Sequence, residues 1–204
     1  MDIRELTIED EKLIGAISLL HQQAFPDFFL TQLGPKFLKT LYEGYLHSGD
    51  SGIIIAEESD RLIGFIAYSN DYPKFYRDLI KYSLVKFAWY SFIAALHHPS
   101  FLKRLLGAFK KSDSVVKEEK YVELASICVE PSLNGKGIGT KLIDYLKSIT
   151  DFDTYEYINL ETDADHNDPA NRFYIKNGFI LQRQYVTAEG RRMNEYRFVP
   201  ESET

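Results

Sequence analysis

From Val129 to Thr140 the chain reads Val-Glu-Pro-Ser-Leu-Asn-Gly-Lys-Gly-Ile-Gly-Thr, a strand-like ending that runs into alternate glycines, Gly135, Gly137 and Gly139. Glycines spaced this way let the backbone turn sharply with its N–H groups converging. A helix following them adds unpaired N–H groups and the positive end of its dipole. An oxyanion such as a diphosphate is the occupant this arrangement favours; the alternative is a tight strand-to-helix turn whose glycines serve only packing. Spacing separates the chemistries that use such loops. A nucleotide-hydrolysing phosphate loop, G-x-x-x-x-G-K-[ST], is excluded, because Lys136 lies between glycines and Thr140 follows one. A dinucleotide fingerprint, G-x-G-x-x-G, fits poorly, because Glu130 to Asn134 intervene between the strand and the first glycine.

The elements around the loop are legible from apolar periodicity. Ile3 to Leu6 reads as a strand, and Thr7 caps a helix over Ile8 to Gln23. A second helix is expected from Pro35 to His47, then a hairpin of Gly52–Glu57 and Leu62–Tyr68. Tyr121–Val129, a helix over Gly137–Thr150 and Tyr157–Glu161 form a strand-helix-strand unit, which implies parallel neighbours. A helix over Pro169–Asn177 and a hairpin of Phe179–Val186 with Met193–Val199 close the chain. Between these lies an aromatic, helical insertion, Asn70 to Lys120. From Lys74 to Lys111 it carries eight Lys and Arg against the single acid Asp78.

Composition bounds the rest. The 204 residues are 45% hydrophobic and 14% aromatic, enough for one domain spanning 1–204 with a sizeable core, and this excludes disorder. A net charge of -6 recommends no nucleic-acid partner. Cys128 is the one cysteine, the opening residues show no signal segment, and a cytoplasmic home is expected. Phe87–Leu96, the most hydrophobic stretch, is too short to span a membrane. The run Asp163–Asp168 fails as a calcium loop, since Asp168 stands at the glycine position and Tyr174 at the twelfth. His97 and His98 stand alone, so no metal is implied.

The form Val129-x-Pro131-x-x-Asn134-x-x-Gly137-x-Gly139 resembles the acyl-CoA loop of the GNAT superfamily of N-acetyltransferases, Arg/Gln-x-x-Gly-x-Gly/Ala. Asn134 replaces the usual Arg or Gln, which removes a long side chain but no backbone donor. A second block, Asn167-Asp168-Pro169-Ala170-Asn171-Arg172-Phe173-Tyr174-Ile175-Lys176-Asn177-Gly178-Phe179, is similar to the superfamily's Asn-x-x-Ala-x-x-Phe/Leu-Tyr-x-x-x-Gly-Phe, with every named position filled. The resemblance spans Gly52 to Phe198 apart from the insertion. It implies an α/β fold with a mixed, mainly antiparallel twisted sheet, a central splayed parallel strand pair and flanking helices.

It also implies acetyl-CoA as cosubstrate. The backbone of Ile127, Cys128 and Val129 would pair with the pantetheine arm. Asn134, Gly135, Lys136, Gly137, Ile138, Gly139 and Thr140 would hold the pyrophosphate, and Asn167 and Asn171 would touch the pantetheine or phosphates. Tyr174 matches the tyrosine beside the thioester sulfur and would return a proton to the departing thiolate. Glu123 lies upstream on the Ile127 strand. At period two Glu123, Ala125 and Ile127 are expected to share a face, from which Glu123 would accept the amine's proton through a water. Cys128 is read as packing. The expected acceptor is a small primary amine, such as an amino sugar; a CoA-binding module without turnover and a transferase of longer acyl chains remain alternatives. The basic insertion suggests an anionic acceptor, a solvated face, or a homodimer contact built on Trp89 and Phe92.

Overall fold

The computed structural model describes residues 1–79, 81, 119–188 and 190–200. Seven strands form one sheet: β1 (Asp2–Glu5), β2 (Ser51–Glu58), β3 (Arg61–Ser69), β4 (Tyr121–Val129), β5 (Tyr157–Asp163), β6 (Ile180–Val186) and β7 (Arg192–Phe198). Their order across the sheet is β1-β2-β3-β4-β5-β7-β6. Every neighbouring pair is antiparallel except β4 with β5, the central parallel pair expected from the sequence.

Helices α1 (Ile14–Ala24), α2 (Phe29–Gln32) and α3 (Pro35–His47) precede β2, while α4 (Ile138–Ile149) and α5 (Asp168–Lys176) flank β5. The expected first helix divides, Ile8–Leu13 being a 3-10 segment ahead of α1. There Asp10 accepts hydrogen bonds from the Thr7 amide (3.0 Å), the Thr7 hydroxyl (2.9 Å) and Arg4 (2.7 Å), local bonds that compete with regular helix. The β2–β3 turn places Ser59 and Asp60 at φ 51° and 60°, the two positive angles of a turn matched to strand twist.

The run Ile53-Ile54-Ile55-Ala56 is buried throughout because helices cover both sheet faces. Ile53, Ile55, Phe65 and Ala67 join a core with Ile14, Ile17, Phe37, Leu38 and Tyr42 of α1 and α3. Ile54, Ala56 and Ile66 join the opposite core with Ile138, Leu142, Ile143 and Leu146 of α4. The insertion opens as helix over residues 72–79, whose Phe75 and Leu79 complete the first core. Trp89, Phe92, His97, His98, Lys103, Arg104, Lys110 and Lys111 lie outside the described residues.

Candidate functional site

The parallel ladder of β4 and β5 contains three residue pairs, Tyr121 with Tyr157, Val122 with Ile158 and Glu123 with Asn159. Beyond Glu123 the strands part, and β4 keeps a sheet partner only in β3. A bulge accompanies the parting: Ala67 pairs with Ser126 but Tyr68 with Leu124, so Ala125 is the extra residue. This overturns the expectation that Glu123, Ala125 and Ile127 share a face. Ala125 packs with the α1/α3 core, whereas Ile127 packs with the α4 core, because one inserted residue breaks the period of two. Into the opening runs a cavity of about 1010 Å³, lined by Glu123 to Val129, the loop before α4, the first residues of α5 and the end of α1.

At the glycine loop, Gly135 and Gly137 have φ of 80° and 79°, a region that favours glycine, and a side chain on either would project into open space. Gly139 serves differently. A Cβ there would stand 3.0 Å from Phe173 Cζ, so this glycine lets α4 and α5 approach. The first hydrogen bond of α4 runs from the Lys141 amide to the Gly137 carbonyl (3.1 Å), leaving the amides of Ile138, Gly139 and Thr140 ahead of it as orphan donors at the positive helix end. Asn134, Gly135, Gly137, Ile138, Gly139 and Thr140 all line the cavity. Lys136 does not; it is exposed, and its amide closes a turn onto the Leu133 carbonyl (3.3 Å).

The α5 block divides in the same way. Asn167 lines the cavity, and its amide donates back to Thr162 Oγ1 on β5 (2.7 Å) rather than capping the helix. Asn171 stands outside the cavity wall with its carboxamide fully engaged. Its Nδ2 donates to the carbonyls of Asp163 (3.0 Å) and Asn167 (2.8 Å), while its Oδ1 accepts from Asn194 (2.7 Å) and Tyr196 (2.9 Å). Tyr174, only 8% exposed, lines the cavity against Phe173, Phe179 and Tyr196. Burial raises its pKa, as does nearby Cys128, so the phenol keeps its proton. Cys128 is buried, and burial also pushes its thiol up; it is protonated packing beside Ser126.

Glu123 is 8% exposed on the α1/α3 face, where Tyr45, Tyr72 and Tyr76 feel its charge, and it accepts a hydrogen bond from Asn159 Nδ2 at 2.8 Å. Asn159, Glu161 and Asp163 alternate onto one face of β5. Glu161 accepts from the Tyr185 hydroxyl (2.6 Å), and Asp163 pairs with Arg191 (2.7 Å). Wall residues that motif reading did not single out include His21, Phe25, Phe28 and Tyr72. Their spacing marks only core, and nothing local says that the end of α1 reaches the β4–β5 opening. Among the described residues, no group of three or more His, Cys, Asp or Glu is placed to hold a metal ion, and no helix is long and apolar enough to cross a membrane.

Among curated proteins none matches the sequence. Solved structures share its fold at low identity. An aminoglycoside 6'-N-acetyltransferase complexed with coenzyme A superposes with a TM-score of 0.64 at 17% identity, covering 100% of both chains. NAA60 of Arabidopsis thaliana in complex with acetyl-CoA gives 0.58 at 18%, covering 97% of each. The ribosomal-protein-S18-alanine N-acetyltransferase of Escherichia coli gives 0.58 at 14%, covering 100% of this chain and 97% of that one. The model of the acetyltransferase (GNAT) family matches residues 16–179, and with the parted strands and glycine loop within that span, the chain belongs to this family of acyltransferases.

Proposed function

We propose that the protein transfers the acetyl group of acetyl-CoA to a primary amine of a small molecule. The observation that carries this reading is the early end of the β4–β5 ladder at Glu123, beside a helix start with three orphan amides. Backbone groups of Ile127 and Val129 are free of β5 and suit an amide-rich arm laid along β4 like an added strand. The loop from Asn134 to Thr140 suits the pyrophosphate, with its amides rather than Lys136 as donors, and Asn167 borders the same channel.

Bound there, acetyl-CoA supplies an acetyl group activated as a thioester. Tyr174 holds a neutral phenol proton for the leaving sulfur, and Glu123 accepts the proton an ammonium must lose before its nitrogen attacks. The acceptor end is aromatic, with Phe25, Phe28 and Tyr72, and carboxylate-bearing, with Glu123 and Glu161. That combination attracts a protonated amine by charge and by ring faces. The test incubates the protein with acetyl-CoA and a panel of primary amines while free thiol is followed. Amine-dependent thiol release is expected; tight acetyl-CoA binding with no release for any amine refutes the transferase reading.

A further inference from the structure

His21, near the end of α1, is 2% exposed and stands in the cavity wall among Phe25, Phe28 and Tyr42. Its Nδ1 lies 2.6 Å from the Tyr42 hydroxyl, while its Nε2 is buried without a hydrogen-bond partner. Of the two ways to share a proton between these groups, phenol to imidazole is favoured, because the phenol is the better donor and the imidazole lone pair the better acceptor. Nδ1 therefore accepts and Nε2 carries the ring's own proton as an N–H. Ser126 of β4 lies against the same Tyr42 hydroxyl, so the ring is oriented from β4 through α3. Tyr42 itself does not line the cavity, whereas His21 does.

A buried N–H without a partner costs free energy, and an oxygen brought to it recovers that cost. Resting on the transferase reading, the geometry points to His21 as a specificity residue whose Nε2–H donates to an oxygen of the acceptor. The acceptor class is then an amine that also carries a hydroxyl or carbonyl oxygen, rather than a bare alkyl amine or polyamine. The carboxylates Glu123 and Glu161 take the ammonium, and His21 takes the oxygen.

The test uses the full chain with matched amines, glucosamine against cyclohexylamine and alaninamide against a simple alkyldiamine. Thiol release is read with acetyl-CoA, and thermal stabilisation by each amine is read with CoA. Wild type is expected to prefer the oxygen-bearing members. His21→Leu should raise their KM about threefold to tenfold while sparing the oxygen-free amines and the KM for acetyl-CoA, and His21→Gln, which keeps an N–H at similar reach, should restore most of the loss. Equal losses for both classes, no preference in wild type, or no binding of any oxygen-bearing amine overturns the inference. Turnover without discrimination leaves the transferase reading intact, whereas His21-dependent stabilisation without turnover upholds the inference and removes that reading.

Discussion

Lowering the pH tests the burial of His21 directly. Burial holds its imidazole down at about 4, against an ordinary value of 6.5, because its neighbours Phe25, Phe28 and Tyr42 are neutral and give a cation no compensation. Between these values the unfolded chain binds a proton that the folded chain refuses. Stability therefore rises with pH across that window and is lost as pH falls below 6.5. The linkage integral amounts to about 2 kcal/mol at pH 5 and about 3 kcal/mol once the pH drops below the folded value. Urea unfolding of wild type and His21→Leu at pH 7.5 and pH 5 isolates the residue, since carboxylate contributions are common to both. Wild type should lose about 2 kcal/mol more than the variant between the two conditions, even though the variant starts from a constant offset for the lost Tyr42 bond. Parallel losses in the two proteins refute a neutral, buried imidazole.

Gly137→Val places a branched side chain at φ 79°, so stability should fall by about 1–2 kcal/mol and acetyl-CoA affinity should fall with it; a folded variant with unchanged affinity in calorimetric titration removes the loop from binding. Tyr174→Phe preserves shape and deletes the proton donor, and should lower kcat far more than acetyl-CoA affinity; equal turnover assigns Tyr174 to packing. Glu123→Gln should displace the pH–rate profile toward the amine's own ionisation, and an identical profile takes Glu123 out of proton transfer.

Local rules carried much of this molecule. The glycine run, the α5 block and the strand-helix-strand alternation are short-range patterns, and the glycine turn before α4, the parallel pair and the helix that carries Tyr174 are legible in them directly. Each of these depends on neighbours within one turn or one strand, where backbone geometry follows from residue type. Even so, pattern alone could not tell that Gly137 is needed for its dihedral angle and Gly139 for the approach of Phe173. Asn171 fits its motif as well as Asn167 does, yet four hydrogen bonds, two of them from β7, draw it into structural work.

The cavity wall formed by the end of α1 belongs to tertiary structure. A single bulged residue, Ala125, turned Ile127 to the face opposite Glu123, and a period-two reading has no means of detecting an inserted residue whose cause lies in pairing with β3. Likewise His21 reads as one more residue on an amphipathic helix. Only the docking of α1 against α3 and β4 brings its ring to Tyr42 and to the cavity, about a hundred residues in sequence from Glu123. The sequence by itself determined the fold family and the glycine turn that opens α4, because both rest on contiguous residues. The shape and charge of that cavity wall arise where distant segments meet, and only packing decided them.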